Sequence, residues 1–172
     1  MAANDDAARG GAGGGADGGA VSGVSGGADA AGVAADTTAM ASGIAAFEAR
    51  QFTRALRLLS PLAESGEIEA MYRCAIMYQN GLGVQVHAAN AERLMRAAAE
   101  RGHALAQHGM GFMYMEGDCV EQDGEQAVHW FTQAAEQGLA GSQTTLAMLY
   151  EEGALVGKNP ELAKHWMKKA GF

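Results

Sequence analysis

Apolar side chains recur along most of the chain with the period of an α-helix. Ala127, Trp130, Phe131, Ala134 and Ala135 fall at i, i+3, i+4, i+7 and i+8, on one helical face. Ala91, Leu94, Met95, Ala98 and Ala99 repeat the pattern one unit earlier, and Ala55, Leu58, Leu59, Leu62 and Ala63 repeat it again upstream. Small residues let two helices approach closely, and the large ones fill the space between them. From residue 66 onward whole columns align without a gap at intervals of 36 residues. Gly66, Gly102 and Gly138 form one column, and Tyr78, Tyr114 and Tyr150 another. Gly81, Gly117 and Gly153 follow, then Val84, Val120 and Val156, and finally Leu94, Trp130 and Trp166. Such self-similarity is the mark of a tandem array. It divides the chain into repeats at 66–101, 102–137 and 138–172.

Each repeat reads as two helices. In the middle copy the first spans about 103–116 and ends at Gly117, where a positive φ closes a helix at no steric cost. The second starts near Asp123, a good N-cap, with Gln126 at the capping-box position. Asn159 is the equivalent cap in the last copy, and Pro160 occupies the first helical position, where its missing N–H costs nothing. His87 holds that slot in the first copy and is a poorer cap, which predicts a ragged helix start.

Upstream of residue 66 the periodicity predicts an incomplete pair over 39–65. "QFTRALRLLSPLAESG" supplies its second helix and "MASGIAAFEAR" a shortened first one. Residues 1–38 are crowded with Gly, Ala and Asp and hold few large side chains. They offer too little burial to offset the entropy of ordering and read as a disordered leader. The architecture predicted is all-α, a solenoid of stacked antiparallel helix pairs behind a leader.

These columns resemble the Sel-one-like (Sel1-like) repeat, a relative of the tetratricopeptide repeat. Order, spacing and residue type agree over three copies, while the pair at 39–65 is closer to the plain tetratricopeptide form. Cys119 and Leu155 depart from the pattern where a second loop glycine, Gly83, is expected, and Cys74 with Ala75 departs from a Leu-Gly step that Met110 with Gly111 keeps better. The resemblance implies a right-handed α-solenoid that serves as a scaffold for protein–protein contact. It also implies an alternative, a β-lactamase-like hydrolase, because some cysteine-rich members of the family are linked to β-lactams. This chain has two cysteines, Cys74 and Cys119, and no regular cysteine pairs, so the enzymatic association transfers poorly.

The segment "YMEGDCVEQDGEQAVHW" concentrates five carboxylates, a cysteine and a histidine within residues 114–130. The repeat frame resolves most of it into loop. Asp118 corresponds to Leu82 and Ala154, Cys119 to Gly83 and Leu155, and Glu121 to Gln85 and Gly157. Asp123 is a cap, Glu125 favours the positive end of a helix dipole, and His129 aligns with Arg93 and His165 on an outward face. No converging metal-ligand spacing emerges, so neither metal nor cofactor is expected, and no catalytic residue is assigned. Helix spacing and rise separate Cys74 from Cys119 too far for a disulfide.

The net charge is −8, from 12 Lys+Arg against 20 Asp+Glu. That balance argues against nucleic acid as a partner, because phosphate contacts need clustered cations. No apolar run approaches a membrane span, and the N-terminus lacks a basic start followed by an apolar core. Cytoplasmic residence is therefore expected, unless an incorrect start hides a signal sequence.

Function is expected on the wall lined by the first helices, where repeat solenoids commonly receive a partner. Tyr72, Ile76, Gln79 and Asn80 stand there in the first repeat, with Glu69. His108, Phe112, Met115 and Glu116 follow in the second, with Leu105. Met148, Glu151 and Glu152 follow in the third, with Thr144. Adaptable methionine and aromatic surface suits a protein or peptide segment, and the carboxylates favour one with basic character. The competing reading is that Phe112 and the methionines only pack between neighbouring helices. The last helix has no polar cap behind it, which predicts partial exposure of Trp166 and Met167 and self-association through that helix.

Overall fold

The structure, a computed structural model, describes residues 26–172. Among the described residues there are eight α-helices and no strand: α1 (Gly26–Glu48), α2 (Phe52–Ser65), α3 (Ile68–Asn80), α4 (Ala88–Glu100), α5 (Ala104–Glu116), α6 (Gly124–Glu136), α7 (Ala140–Glu152) and α8 (Pro160–Lys169). They pack in chain order. α1 pairs with α2, α3 with α4, α5 with α6 and α7 with α8, and each second helix also packs on the first helix of the next pair. The result is an α-solenoid.

The predicted faces of the second helices form the interior. Ala91, Leu94, Met95, Ala98 and Ala99 of α4 are buried, as are Ala127, Trp130, Phe131, Ala134 and Ala135 of α6. Close approach depends on small residues in the facing helix. A Cβ on Gly111 of α5 would lie 2.6 Å from the Phe131 ring, well inside contact distance. Gly43 of α1 stands in the same relation to Leu59 of α2, where a Cβ would come within 2.5 Å.

The tyrosine column closes each loop through its backbone. The carbonyls of Tyr78, Tyr114 and Tyr150 accept from the N–H groups of His87, Asp123 and Asn159 at 2.9, 2.9 and 2.8 Å. This bond ties the end of each first helix to the cap of the second. It also occupies the Asp123 N–H, so the reciprocal half of the capping box does not form with Gln126. Asp123 Oδ1 does accept from the N–H of Glu125 and Gln126, at 2.9 and 3.0 Å.

Three expectations are corrected. The leader was expected to reach residue 38, yet α1 is already helical from Gly26 and, at 23 residues, is the longest helix described rather than a shortened one. Ala28, Ala30, Ala31, Ala34 and Ala35 in its start are the strongest helix formers, set against the weak formers Gly26, Gly27 and Gly32. Once Gly43 and Ala46 are anchored on α2, the helix extends N-terminally at little further cost. The remainder of the expected leader, residues 1–25, lies outside the described residues. The ragged start of α4 does not occur either. His87 Nδ1 accepts from the Asn90 N–H at 3.2 Å, so imidazole does the work of a carboxylate cap and α4 begins in register with α6 and α8. Trp166, expected to be partly exposed, is only 6% exposed, because α7 covers one side and the Lys169 ammonium lies 4.8 Å from its ring centroid. Met167 is half-buried.

The loop departures resolve differently in the two copies. Cys119 adopts φ 64°, matching φ 69° at Gly83, so a side-chain-bearing residue is held in the left-handed region. Leu155 does not share that conformation.

Candidate functional site: a cleft between the first helices

The first helices α1, α3, α5 and α7 form one wall of the solenoid. Because Leu59, Met95, Phe131 and Met167 are one column, the matching contacts of Gly43 with Leu59 and Gly111 with Phe131 align α1 with the later copies. The next residue along each helix gives the series Ile44, Ile76, Phe112 and Met148. Ile44 and Ile76 are half-buried, while Phe112 is 37% and Met148 53% exposed. Apolar surface therefore opens to solvent toward the C-terminal end of the wall.

There the structure forms an open cleft of ≈ 530 Å³ between α5, α7 and the loops that follow them. Phe112, Met115, Met148 and Leu155 supply an apolar floor, and Glu116 and Glu152 stand on its rim. Five of the residues singled out from the sequence thus come together: Phe112, Met115, Glu116, Met148 and Glu152. Phe112 is fixed from behind. Its ring meets Phe131 edge-on with centroids 5.2 Å apart, and His108 at 4.8 Å.

His108 lies behind the cleft rather than in it. Its Nδ1 is 2.7 Å from the Ser142 hydroxyl of α7, and burial pushes its pKa below the ordinary value of 6.5. The imidazole is therefore neutral at physiological pH and serves as a hydrogen-bonded strut between α5 and α7.

The remaining candidates are dispersed. Tyr72 stacks on His103 with centroids 4.6 Å apart, and desolvation raises the pKa of its hydroxyl. Beside it, His103 Nε2 meets Glu69 Oε2 at 2.9 Å and Arg73 Nε donates to Glu69 Oε1 at 2.6 Å. Burial opposes ionisation of Glu69, but these hydrogen bonds and the neighbouring charges outweigh it and hold the carboxyl below its ordinary pKa. Gln79 donates to Asp118 at 2.7 Å, bridging α3 to the loop after α5. Asn80 donates to the carbonyl of Ile76 in its own helix. Glu151 faces away from Glu152 into a separate depression beside α8.

A protein-family model described as the Sel1 repeat matches residues 68–103, 104–139 and 140–171. The chain belongs to the Sel1 repeat family. Members of this family commonly mediate protein–protein interaction and bind protein partners. Among solved structures, the chain is similar to a protective antigen of uropathogenic Escherichia coli that displays an SLR fold. That match has 36% identity and a TM-score of 0.65, and covers 69% of this chain and 25% of that one. It is also similar to a Sel1 repeat protein from Oxalobacter formigenes, with 30% identity and a TM-score of 0.69, covering 75% of this chain and 53% of that one. The chain thus spans from a quarter to about half the length of these relatives. No curated protein matches it.

Within the Sel1 frame, sequence reasoning missed the loop contributors to the cleft. Gln122 lines it and fixes its edge by donating to the Met115 carbonyl at 2.8 Å. Leu155 completes the floor from the loop after α7. A leucine in a column that otherwise holds Gly83 and Cys119 was the one available signal. Ile44 and Met40 extend the wall into α1, where they border a second depression with Asp36 and Glu67.

A hydrolytic reading needs a nucleophile that substrate can reach. The serine that meets His108 is fully buried, so its hydroxyl is unavailable to substrate. Among the described residues, no group of three or more His, Cys, Asp and Glu could hold a metal ion, and no helix is long and apolar enough to cross a membrane.

Proposed function

We propose that this Sel1 repeat protein is a non-catalytic adaptor whose α5–α7 cleft receives a peptide segment of a protein partner. The observation that carries the reading is the pairing of Phe112, Met115 and Met148 with Glu116 and Glu152 around one open cleft. Exposed apolar side chains of this size supply anchoring area, and methionine adapts to the shape of what it meets. The two rim carboxylates favour a segment with Lys or Arg flanking its apolar anchor and disfavour an acidic one. Along the same wall, Tyr72, Ile76, Gln79 and Asn80 offer a shallower, more polar continuation toward α3. The ring of Tyr72 is stacked on His103 and the amide of Gln79 is bonded to Asp118, so they orient a segment more than they anchor it. Glu151 is assigned no part in this contact.

The free thiols at Cys74 and Cys119 suit a reducing compartment such as the cytoplasm. The exposed Leu162 on α8 and Phe172 beyond its end support self-association as a second kind of contact.

Selection from a displayed peptide library against the full chain tests the reading. Enriched sequences are expected to combine one large apolar residue with neighbouring Lys or Arg, and to lose binding to Phe112→Ala and Met148→Ala. Enrichment of acidic sequences, or binding that ignores both substitutions, contradicts it. Turnover of the chromogenic β-lactam nitrocefin by the purified protein, lost with no substitution of the cleft, would favour the hydrolase instead.

A further inference from the structure

The hydrogen bond between Gln79 and Asp118 has no counterpart in the repeat that forms the cleft. At the spacing of 36 residues the same two positions are next held by Met115 and Ala154, and both line the open cleft between α5 and α7. Neither of these side chains can donate a hydrogen bond, and alanine cannot accept one. Between α3 and α5, by contrast, Gln79 Nε2 donates to Asp118 Oδ2 at 2.7 Å and ties the end of α3 to the loop after α5. By register, the α3–α5 groove is a second copy of the cleft with a bond drawn across it.

The rest of that groove keeps the residues of a binding surface. Phe112 and Glu116 stand in it where Met148 and Glu152 stand in the cleft, so the two grooves share one ring and one carboxylate. Ile76 takes the place of Phe112. Val86 takes the place of Gln122 and is 64% exposed.

Charge selects the occupant. Residues 102–157 hold eight Asp and Glu and no Lys or Arg, which matches the whole net charge of −8. The carboxylates of α3 and α4 have cations beside them: Glu69 meets Arg73, and Glu92 meets Arg96. Among the described residues, no Lys, Arg or His pairs with Glu116, Asp118 or Glu152. Asp118 has only neutral partners, the Gln79 amide and, at 3.6 Å from its other oxygen, the Cys119 thiol. A cation makes the stronger hydrogen bond to a carboxylate and can take the place of the amide.

We propose that the Gln79–Asp118 bond is a latch, opened when a Lys or Arg of the bound peptide segment displaces the Gln79 amide from Asp118. The segment then runs on from the cleft, across Phe112, into the α3–α5 groove. This rests on the reading of the α5–α7 cleft as a peptide site and adds a second subsite and the chemistry that opens it. Until the cation arrives, the latch confines a segment to the cleft. Neighbouring helices lie ~8–10 Å apart, a distance that an extended chain crosses in about three residues at ~3.3 Å each. The displacing cation is therefore expected about three residues from the apolar anchor.

The test is fluorescence anisotropy of the peptide most enriched from the displayed library, with variants of the full chain that keep their helical circular dichroism. Phe112→Ala and Met148→Ala should each weaken binding about ten-fold or more, as the cleft requires. Gln79→Met gives α3 the residue that α5 has, and should tighten binding about three-fold or more because no closed state competes. Asp118→Asn keeps an acceptor for Gln79 without the charge, and should weaken binding about three- to five-fold. When the Lys and Arg residues of the peptide are replaced by Gln one at a time, that loss should vanish for one of them. Unchanged or weaker binding to Gln79→Met overturns the latch. An effect of Asp118→Asn that is absent, or that survives every replacement in the peptide, overturns the subsite. In both cases the losses with Phe112→Ala and Met148→Ala leave the cleft standing. Wild-type affinity in those two variants overturns the cleft and the latch with it.

Discussion

Phe112 and Phe131 meet at right angles, with ring centroids 5.2 Å apart, one ring 37% exposed and the other fully buried. The pair links the interior of the array to its surface. Phe131 belongs to the column that holds α6 against the neighbouring first helices, and Phe112 turns the outer edge of that packing into the floor of the cleft. An aromatic ring fixed in this way loses little conformational freedom when a ligand covers it.

Truncation of Phe112 should therefore have two effects of unequal size. Phe112→Ala removes an anchor and is expected to weaken binding of a selected peptide by ~10-fold or more, in the range of interface anchors. It also forfeits an edge-to-face contact worth ~0.5–1.5 kcal/mol. Met148, 53% exposed, has less structural role, so Met148→Ala should weaken binding with almost no change in melting temperature. Calorimetry of binding beside thermal melts of both variants separates the two effects.

Trp130 tests the interior. Its side chain is 6% exposed and the Nε1–H is buried without a hydrogen-bond partner. Trp130→Ala should cost ~3–5 kcal/mol. Trp130→Phe should cost distinctly less, since no hydrogen bond is lost and an orphan donor is removed. Urea unfolding of the pair of variants measures the difference, and equal losses would show that volume is not what Trp130 contributes.

Cys119 bears conformational strain at φ 64°. Cys119→Gly is expected to raise stability by ~0.5–1 kcal/mol, the relief of a left-handed residue less the added freedom of the unfolded chain. Cys119→Val should lower it, because a branched Cβ tolerates that region least. Denaturant midpoints order the three proteins.

The fold was largely legible because the spacing of 36 residues turns every column into an internal comparison, and a loop position can be distinguished from a core position without any homologue. The Tyr column, the Gly helix ends and the buried faces of α4 and α6 all follow from it. The first helix was not legible. Its connection to α2 is shorter than those in the later repeats, so the register breaks and Ile44 falls 32 rather than 36 residues before Ile76. An alanine-rich helix also carries no apolar stripe by which to recognise it. At the cleft, Phe112 and Met148 could be read as wall residues, but Gln122 and Leu155 reach it from loops whose path depends on tertiary packing. That the adjacent Glu151 and Glu152 border different depressions depends on how α8 turns back against α7.

His108 predicts a dependence on pH. Burial lowers its pKa from 6.5, so the folded protein binds fewer protons than the unfolded chain between the two values. Stability from the neutral imidazole is complete above 6.5 and is lost as pH falls through the lower folded value. Urea midpoints at about pH 7.5 and about pH 5 should therefore fall further for the wild type than for His108→Asn. An NMR titration should place the His108 pKa below that of a free imidazole.

Ten methionines allow the cleft to be observed directly. In protein labelled at the methionine methyl carbons, titration with a selected apolar and basic peptide should shift the signals of Met115 and Met148. Those of the buried Met77 and Met95 should stay in place. Peptide-dependent shifts confined to Met167, or to methionines away from α5 and α7, would contradict a binding cleft between those helices.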